Sequence, residues 1–257
     1  MKSPRTLRDF GKGARPFVLL ILIWVAASAF ARVPEYALPS LGKVVTVFLS
    51  LLEQGQLPDF IRGSLLHLML ATCAGLLLAI PFGLLVGMNR LVARFFYPIF
   101  NFMQSLPAIA WLPLLIVWFG FSNVTIVTVI AYSVAFPVVF STIVGVRTIP
   151  TVYKSAVLTM GGSRWDIVTQ VILPGALPNI ITGMRLGIAF GWRALIAAEM
   201  IVGANGLGFM IFEAQRMLLT DRIVLGMIVI GFLWTVIDSL VLRPLEAVTI
   251  ERWGVQR

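Results

Sequence analysis

Four charged side chains lie inside long apolar stretches of this sequence, where they could do chemistry. Arg185, Arg193 and Glu199 lie in the stretch 177–202, and Asp238 lies in a later one. A charge at the centre of a lipid bilayer costs roughly 2.5 to 3.5 kcal/mol, so such side chains face protein or water. Arg193 therefore either adds positive potential to a solute path or forms an ion pair with Asp238. Arg185 is close enough to a helix end to reach the surface.

Catalytic sites of the common kinds are poorly supported. Glu199 and Asp238 could form an acid pair, but no nucleophile or metal cluster accompanies them. Arg193 and Glu199 are six residues apart, about 240° around a helix, so we do not expect them to pair directly. The single cysteine, Cys73, cannot form an internal disulfide, and the single histidine, His67, cannot by itself build a usual metal site.

The sequence contains no P-loop, the glycine-rich motif that binds the phosphates of ATP. That motif requires Gly, four residues and then Gly-Lys-Ser/Thr. The two Gly-Lys pairs begin at Gly11 and Gly42, and neither has the required glycine before it or Ser/Thr after it. We therefore expect no catalytic residues and no cofactor in this chain, and any ATP-Mg would bind to another one.

The composition requires lipid as the solvent for most of the chain. Of the 257 residues, 59% are apolar and 12% are charged, whereas soluble domains carry about 25% charged residues. A helix needs about 20 mostly apolar residues to cross a bilayer. The apolar stretches predict an all-α membrane protein, a single domain over 1–257 with six transmembrane helices. These spans are expected at about 16–33, 64–89, 95–118, 123–147, 177–202 and 222–243.

The distribution of Lys and Arg predicts the orientation. Most of them lie in the N-terminal segment, after the second and fourth spans, and near the C-terminus. Because basic loops stay cytoplasmic, both termini are predicted to be cytoplasmic. The same topology explains the net charge of +9, so we expect no nucleic-acid partner. Alternatively, the N-terminus is a cleavable secretory signal, since an apolar run and Ala27-Ser28-Ala29 follow its basic residues.

Two further segments are predicted to lie on the external side. Apolar residues at helical spacing in 44–52 indicate a helix along the membrane interface. After the fifth span, three glycines within 203–208 disfavour continuation of the helix, and 209–220 has the pattern of a short amphipathic helix. Each segment either packs over the ends of the spans or docks a partner.

The predicted cytoplasmic segment 148–176 has the pattern of two short helices. A first helix is expected over 152–160, and Gly161-Gly162 interrupts it. Ser163 and Asp166 have the spacing of a capping box that starts a second helix. Such a pair of helices, with Trp165 as an apolar anchor, could insert into a cleft of a soluble partner. The alternative is an amphipathic loop that rests on lipid headgroups.

As a whole, this segment resembles the EAA loop of the permease subunits of ATP-binding-cassette (ABC) importers. That motif reads Glu-Ala-Ala, three residues, Gly, about nine residues, and then Ile-x-x-Leu-Pro. Gly161 and Leu173-Pro174 match it in type and separation, and Ser155-Ala156 stands at its start. Ser155 occupies the position of the family's glutamate, which supplies a polar anchor to the ATPase.

Other stretches resemble the sulfonate, taurine and nitrate branch of these permeases, and the similarity covers about 36–245. They are Leu38-Pro39-Ser40, Leu106-Pro107, Leu112-Pro113-Leu114, Trp118-Phe119-Gly120 and Ala198-Glu199-Met200-Ile201.

This resemblance implies a type I ABC importer permease fold in a bacterial cytoplasmic (inner) membrane. Two permease copies, expected to be a homodimer, enclose a path, and each EAA loop binds an ATP-binding subunit. ATP-driven closure of the two ATPases switches the path, and an extracytoplasmic substrate-binding protein delivers the solute. The coupling residues implied here are Ser155, Ala156, Gly161, Gly162, Ser163, Trp165, Leu173 and Pro174.

The branch implies a small anion as cargo, of the sulfonate, nitrate, bicarbonate or organic carboxylate class. Besides Arg193, the candidate path residues are Gln104, Ser105, Trp111, Tyr132 and Ser133. The alternative for the Tyr and Ser residues is hydrogen bonding between helices. Pro107, Pro113 and Pro137 are expected to kink their helices. The alternative function is a self-sufficient channel or secondary transporter, which would work without ATP or partners.

Overall fold

The computed structural model describes residues 19–28, 34, 37–203 and 205–252, with side chains up to residue 249. All regular structure in these residues is helical. The basic residues of the N-terminal segment, residues 16–18 and 29–33 of the first predicted span and the end of the candidate cleavage site at Ala29 lie outside the described residues.

Twelve helices are labelled in chain order over the described ranges. They are α1 Leu19–Ser28, α2 Leu41–Glu53, α3 Gln56–Met88, α4 Arg90–Ser105, α5 Leu112–Phe119, α6 Asn123–Thr148, α7 Thr151–Thr159, α8 Arg164–Ile167, α9 Leu173–Val202, α10 Leu207–Arg216, α11 Thr220–Ile237 and α12 Arg243–Arg252. A 3₁₀ turn, Ala108–Trp111, precedes α5. Two π-helical turns, Val168–Ile172 and Asp238–Leu242, join α8 to α9 and α11 to α12.

Four helical stretches of the described chain are long and apolar enough to cross a membrane. They are Gln56–Met88, Asn123–Thr148, Arg164–Val202 and Thr220–Thr249. A fifth span is possible if α4 and the 3₁₀ turn with α5 count as one broken crossing, since the two parts are bent by 91°. Of the first predicted span, the structure describes only the short apolar helix α1.

The bend replaces the continuous helix expected over 95–118. Leu106 has extended backbone angles, φ −88° and ψ 121°, because the residue before a proline avoids the helical region. Pro107 is also non-helical, with ψ 139°. Pro113 lies in the first turn of α5, where a proline is well tolerated. Pro107 therefore breaks the span rather than kinking it.

Helix α6 is the centre of the bundle and packs between α3 and α9. Its residues Val134 and Val138 are fully buried. Glycines let the neighbouring helices come close: a Cβ at Gly187 of α9 would lie 2.6 Å from the Val134 carbonyl oxygen, and one at Gly83 of α3 would lie 2.7 Å from Thr142 Cβ. Small residues at such contacts are typical of helix packing in membranes.

The two helices expected on the external side, α2 and α10, both join the core. Val44 and Leu51 of α2 pack in one cluster with Leu207 and Met210 of α10 and with Leu225 of α11. The Ser40 side chain caps α2 by accepting from the Lys43 N–H, as N-cap residues do. These contacts support the packing alternative for both segments.

Candidate functional site

Most of the candidate path residues converge on one pocket of about 450 Å³. It lies between the end of α4, the 3₁₀ turn, the middle of α6 and α9. Gln104, Tyr132, Ser133 and Arg193 line it. The other lining residues are Leu106, Pro107, Ala108, Ile109, Phe136, Pro137, Phe190, Ala194 and Ala197. The break at Leu106-Pro107 forms one wall of this pocket, which we call the path pocket.

Tyr132 fixes the broken helix to α6. Its hydroxyl donates to the Met103 carbonyl oxygen at 2.6 Å, so the end of α4 is tied to α6 just before the break. The ring of Trp111 packs against Tyr132 with 5.7 Å between centroids. Trp111 supports the pocket without lining it. Ser105 is also outside the lining, and its hydroxyl donates to the Phe102 carbonyl at 2.7 Å.

Arg193 is the charged group of the path pocket. Its side chain is exposed, and its guanidinium lies 5.7 Å from the centre of the Phe190 ring. Within the described chain it forms no ion pair with a carboxylate. A cation beside apolar walls gives the pocket a positive potential that attracts anions. The pocket is therefore suited to an anion.

Asp238 pairs with Arg185 rather than with Arg193. Arg185 donates from Nε to Asp238 Oδ1 at 3.0 Å, and it also binds the Glu246 carboxylate. Arg243 Nε donates to Asp238 Oδ2 at 2.8 Å. The alternative of an Arg193–Asp238 pair is therefore wrong. Arg185, which is expected to reach the surface, has a side chain that is 32% exposed, and it also joins α9 to the π-helical turn and α12.

Glu199 is fully buried, and its hydrogen-bond partners do not include Asp238. Its carboxyl group accepts from the Ser64 hydroxyl at 2.8 Å and from the Gly208 N–H at 3.0 Å. His67 Nδ1 lies 2.9 Å from Glu199 Oε1, and His67 Nε2 lies 3.3 Å from Asn123 Oδ1. The alternative of an acid pair between Glu199 and Asp238 is therefore wrong. We call Ser64, His67, Asn123, Glu199 and Gly208 the Glu199 cluster, and it joins α3, α6, α9 and α10.

A local signal for this cluster is present in the sequence, although sequence reasoning missed the cluster itself. Ser64 and His67 are three residues apart, so they share one face of α3 in an otherwise apolar stretch. A Cβ at Gly206 would overlap both carboxyl oxygens of Glu199. The glycines after the fifth span therefore do more than end the helix. They make room for the carboxyl group at the start of α10.

Gly161 and Gly162 form a defined cap at the end of α7. The Gly162 N–H bonds to the Val157 carbonyl at 2.9 Å, and the Gly161 N–H bonds to the Leu158 carbonyl at 3.1 Å. These two bonds, with Gly161 at φ +82°, are the Schellman motif. A glycine is favoured at Gly161 because only it adopts this left-handed conformation without cost.

Ser163 and Asp166 form the capping box predicted for the second helix, so that prediction is confirmed. The Ser163 N–H donates to Asp166 Oδ2 at 2.7 Å, and the Asp166 N–H donates to Ser163 Oγ at 3.2 Å. The hydrogen bonds from the Ser163 hydroxyl and backbone hold the pKa of the Asp166 carboxyl below its ordinary value. We call residues 149–172, which bend between α7 and α8, the elbow. Hydrogen bonds therefore fix both sides of its bend.

The elbow is attached to the bundle on one side and open on the other. Ile149, Ile167 and Val168 pack in a cluster with Val146 and Ile172 at the ends of α6 and α9. Trp165 is 72% exposed. Other large apolar side chains exposed on the same segment are Val152, Tyr153, Leu158 and Met160.

The remaining candidate coupling residues border the same elbow. Ser155 and Ala156 are exposed on α7. Leu173 and Pro174 form the first turn of α9, where Leu173 is exposed and Pro174 is half-buried. The candidate coupling residues thus lie along one continuous segment that runs from α7 into α9.

Residues 75–243 match the family model described as "Binding-protein-dependent transport system inner membrane component". This range contains both the path pocket and the elbow. The chain belongs to this family. Its membership confirms the resemblance to importer permeases, and the chain is a multi-pass membrane component of a transport system.

Curated relatives of this permease belong to the branch expected from the sequence. It is 34% identical to the taurine transport system permease protein TauC of Escherichia coli, over 89% of this chain and 84% of that one. It is 29% identical to a putative aliphatic sulfonates transport permease protein SsuC of Bacillus subtilis, over 95% and 88%. It is 32% identical to the nitrate import permease protein NrtB of Leptolyngbya laminosa, over 67% and 61%.

A solved structure shows the same fold. A chain of the inward-facing MetNI methionine ABC transporter superposes with a TM-score of 0.58 at 20% identity, covering 74% of this permease and 96% of that chain. The predicted fold class, an all-α type I importer permease, is confirmed by this similarity together with the family match.

Proposed function

We propose that this permease forms the path of an ATP-driven importer for a small anion of the sulfonate, nitrate, bicarbonate or organic carboxylate class. Two copies enclose the path in a bacterial cytoplasmic membrane. A separate ATPase subunit binds ATP-Mg and drives the elbow, and an extracytoplasmic binding protein delivers the anion. The names of the relatives, which refer to taurine, aliphatic sulfonates and nitrate, support this class of cargo.

The charge on Arg193 is the observation that carries the proposal. Two other charged groups deep in the described spans have partners: Arg185 binds Asp238 and Glu246, and Glu199 accepts from Ser64. Arg193 has no carboxylate partner among the described residues and faces the path pocket. An unpaired charge within a membrane is costly, so its retention at a pocket fits a role in holding an anionic solute.

The elbow supplies the surface for the ATPase subunit. Trp165, Met160 and Tyr153 expose large apolar side chains on a segment that is anchored to α6 and α9 on its other side. Buried aromatic anchors contribute much of the energy of protein interfaces. Ser155 has no carboxylate to offer this contact, so we expect apolar burial around Trp165 to supply the affinity.

The test is uptake by proteoliposomes that contain the permease, its ATPase subunit and its binding protein. Taurine, ethanesulfonate, nitrate and bicarbonate serve as solutes, with and without ATP. Loss of a charged hydrogen-bond partner costs about 1.5–3 kcal/mol, so Arg193→Gln should lower uptake at limiting solute by about tenfold or more. Arg193→Lys should retain more uptake than Arg193→Gln. Arg62→Gln, an exposed arginine of α3 outside the pocket, is the matched control.

Two results would refute the proposal. Uptake by the permease alone, without ATP or partners, would identify a self-sufficient channel or secondary transporter. Full uptake by a correctly assembled Arg193→Gln variant would show that the charge of Arg193 is not needed to hold the solute. For the elbow, Trp165→Ala should weaken co-purification of the ATPase subunit, and unchanged co-purification would contradict the docking surface.

A further inference from the structure

A second pocket, of about 720 Å³, lies at the end of the bundle that carries α7. Four basic side chains line it: Arg90 and Arg94 from the start of α4, Arg147 from the end of α6, and Lys154 from α7. Met88, Tyr97 and Thr151 are among the other lining residues, and none of the lining residues is acidic. We call it the basic pocket.

The basic side chains of this pocket have no acidic partners among the described residues. In the part of the chain that the structure describes, none of the four forms an ion pair with Asp or Glu. Arg147 lies over the ring of Tyr97, 5.9 Å from its centre. Four cations around one cavity repel each other, and an anion in the cavity would relieve that repulsion.

The position of Arg90 and Arg94 argues against a role in helix stability. Both lie in the first two turns of α4, which contains no acidic residue in its first turn. The N-terminal end of a helix is positive, so cations there are unfavourable. Basic residues are expected at cytoplasmic helix ends. That rule does not require three separate helices to place them around one cavity.

The basic pocket and the path pocket lie on one face of α6. Ser133 and Phe136 line the path pocket, and Arg147 lines the basic pocket. Ser133 and Arg147 are fourteen residues apart, within about 40° of the same direction around the helix and about 21 Å along it. An anion that leaves the path pocket along this face would therefore arrive at the basic pocket.

Aromatic side chains separate the two pockets. Phe140 packs against Phe100 at 6.2 Å and against Tyr97 at 6.1 Å, and Phe100 also packs against Phe136 at 6.0 Å. Phe140 is seven residues from both Ser133 and Arg147, so it lies midway between the pockets on the same face. The face thus presents a cationic pocket, an aromatic partition and a second, more strongly cationic pocket.

We propose that the basic pocket is a second anion-binding site, which receives the transported anion on the side where α7 meets the ATPase. The ligand is a small oxyanion of the same class as the cargo. This assignment rests on the proposed function for the direction of movement. The affinity of the pocket for anions rests only on its own charges.

The test measures the electrostatic potential and the occupancy of the basic pocket without transport. Cys73, the only cysteine, is first replaced by Ser. Thr151→Cys then places a thiol in the pocket, and Met88→Cys provides a second reporter from α3. Thr159→Cys, at the exposed far end of α7, is the matched control. Each full-length variant, in nanodiscs of phosphatidylcholine, reacts with an anionic sulfonatoethyl or a cationic trimethylammonioethyl methanethiosulfonate.

The ratio of anionic to cationic reaction rates should be at least about tenfold higher for Thr151→Cys or Met88→Cys than for Thr159→Cys, since focused potentials raise local anion concentrations by this much or more. Arg94→Gln and Arg147→Gln should each reduce the ratio for the two pocket thiols and leave it unchanged for the control thiol. Free ethanesulfonate should slow the anionic reagent only in the pocket.

Equal ratios at all three positions would overturn the proposal, and so would a failure of ethanesulfonate to protect either reporter. A lipid headgroup would give a different result: discs containing phosphatidylglycerol would block both reagents, while ethanesulfonate in phosphatidylcholine discs would not. That outcome also overturns the proposal. Because no ATP or partner is needed, a failure here is distinct from a failure of the Arg193 uptake test.

Discussion

Removal of the Glu199 carboxyl group should destabilise the permease strongly. In Glu199→Ala, the Ser64 hydroxyl and the Gly208 N–H lose their acceptor in a fully buried site, and His67 loses a partner at 2.9 Å. A buried donor left without an acceptor costs about 1–3 kcal/mol, and Glu199→Ala leaves two such donors. We expect a loss of about 4 kcal/mol. At about 2–4 °C per kcal/mol, the midpoint of thermal unfolding should fall by about 8–16 °C.

Thermal unfolding of the detergent-solubilised chain measures this effect. Glu199→Gln keeps the shape and one acceptor oxygen, so it should lose about half as much stability as Glu199→Ala. Ser64→Ala leaves the Leu207 N–H without its acceptor and should cost about 1–3 kcal/mol. Glu53→Ala, at the exposed end of α2, is the control and should change the midpoint little.

Hydrogen exchange adds a local readout. The Glu199 cluster ties the start of α10 to α3, so Glu199→Ala should increase exchange in α10 more than in α6. The reasoning would be refuted if Glu199→Ala unfolded within about 2 °C of Glu53→Ala, the shift expected for less than about 1 kcal/mol. Equal exchange in α10 of both variants would refute the local part.

Three further outcomes are expected. Gly161→Val should lower ATP-coupled uptake by about fivefold or more, because a branched residue at φ +82° costs at least about 1–2 kcal/mol. Gly161→Asn should keep most of the uptake, and equal uptake by both variants would contradict the role of the glycine cap. The lowered pKa of Asp166 means that the capping box stabilises the elbow above the ordinary carboxyl pKa and that this contribution is lost as pH falls through the lowered value. Carbon-13 titration of Asp166 should show this shift, and Ser163→Ala should move the pKa back towards its ordinary value; no movement would count against these hydrogen bonds. Arg185→Met should lower stability by about 2 kcal/mol, measured by thermal unfolding, whereas a midpoint unchanged from wild type would show that its bonds to Asp238 and Glu246 do not stabilise the fold.

Local signals in the sequence predicted the elbow well. The apolar spacing before Gly161, the glycine itself and the Ser163-x-x-Asp166 box act within a few residues of each other, so tertiary context changed little. Helix α6 likewise follows from an apolar stretch without charges up to Val146, and α9 from an apolar stretch that contains three charged residues. The depth of Arg193 in the fifth span leaves both a path role and an ion pair open, and in the structure Arg193 lines one pocket with Gln104, Tyr132 and Ser133.

Partners between helices could not be predicted in the same way. Arg185 and Arg193 differ by about 80° around α9, and which of them meets Asp238 depends on the rotation of α9 and on the π-helical turn that starts at Asp238. The Ser64–Glu199 contact joins residues 135 positions apart. Pro107 gave a local signal for a kink, but the size of the bend depends on Tyr132 holding the end of α4.

The elbow between α7 and α8 has a consequence for the exchange of parts among related permeases. Its shape is determined by its own Schellman motif and capping box, and it joins the bundle mainly through Ile149, Ile167, Val168 and the buried Ile172. Residues 150–171 are therefore a self-contained graft. A chimera that receives this stretch from a relative, with Ile167 and Val168 retained, should fold with its own spans and recruit the donor's ATPase subunit.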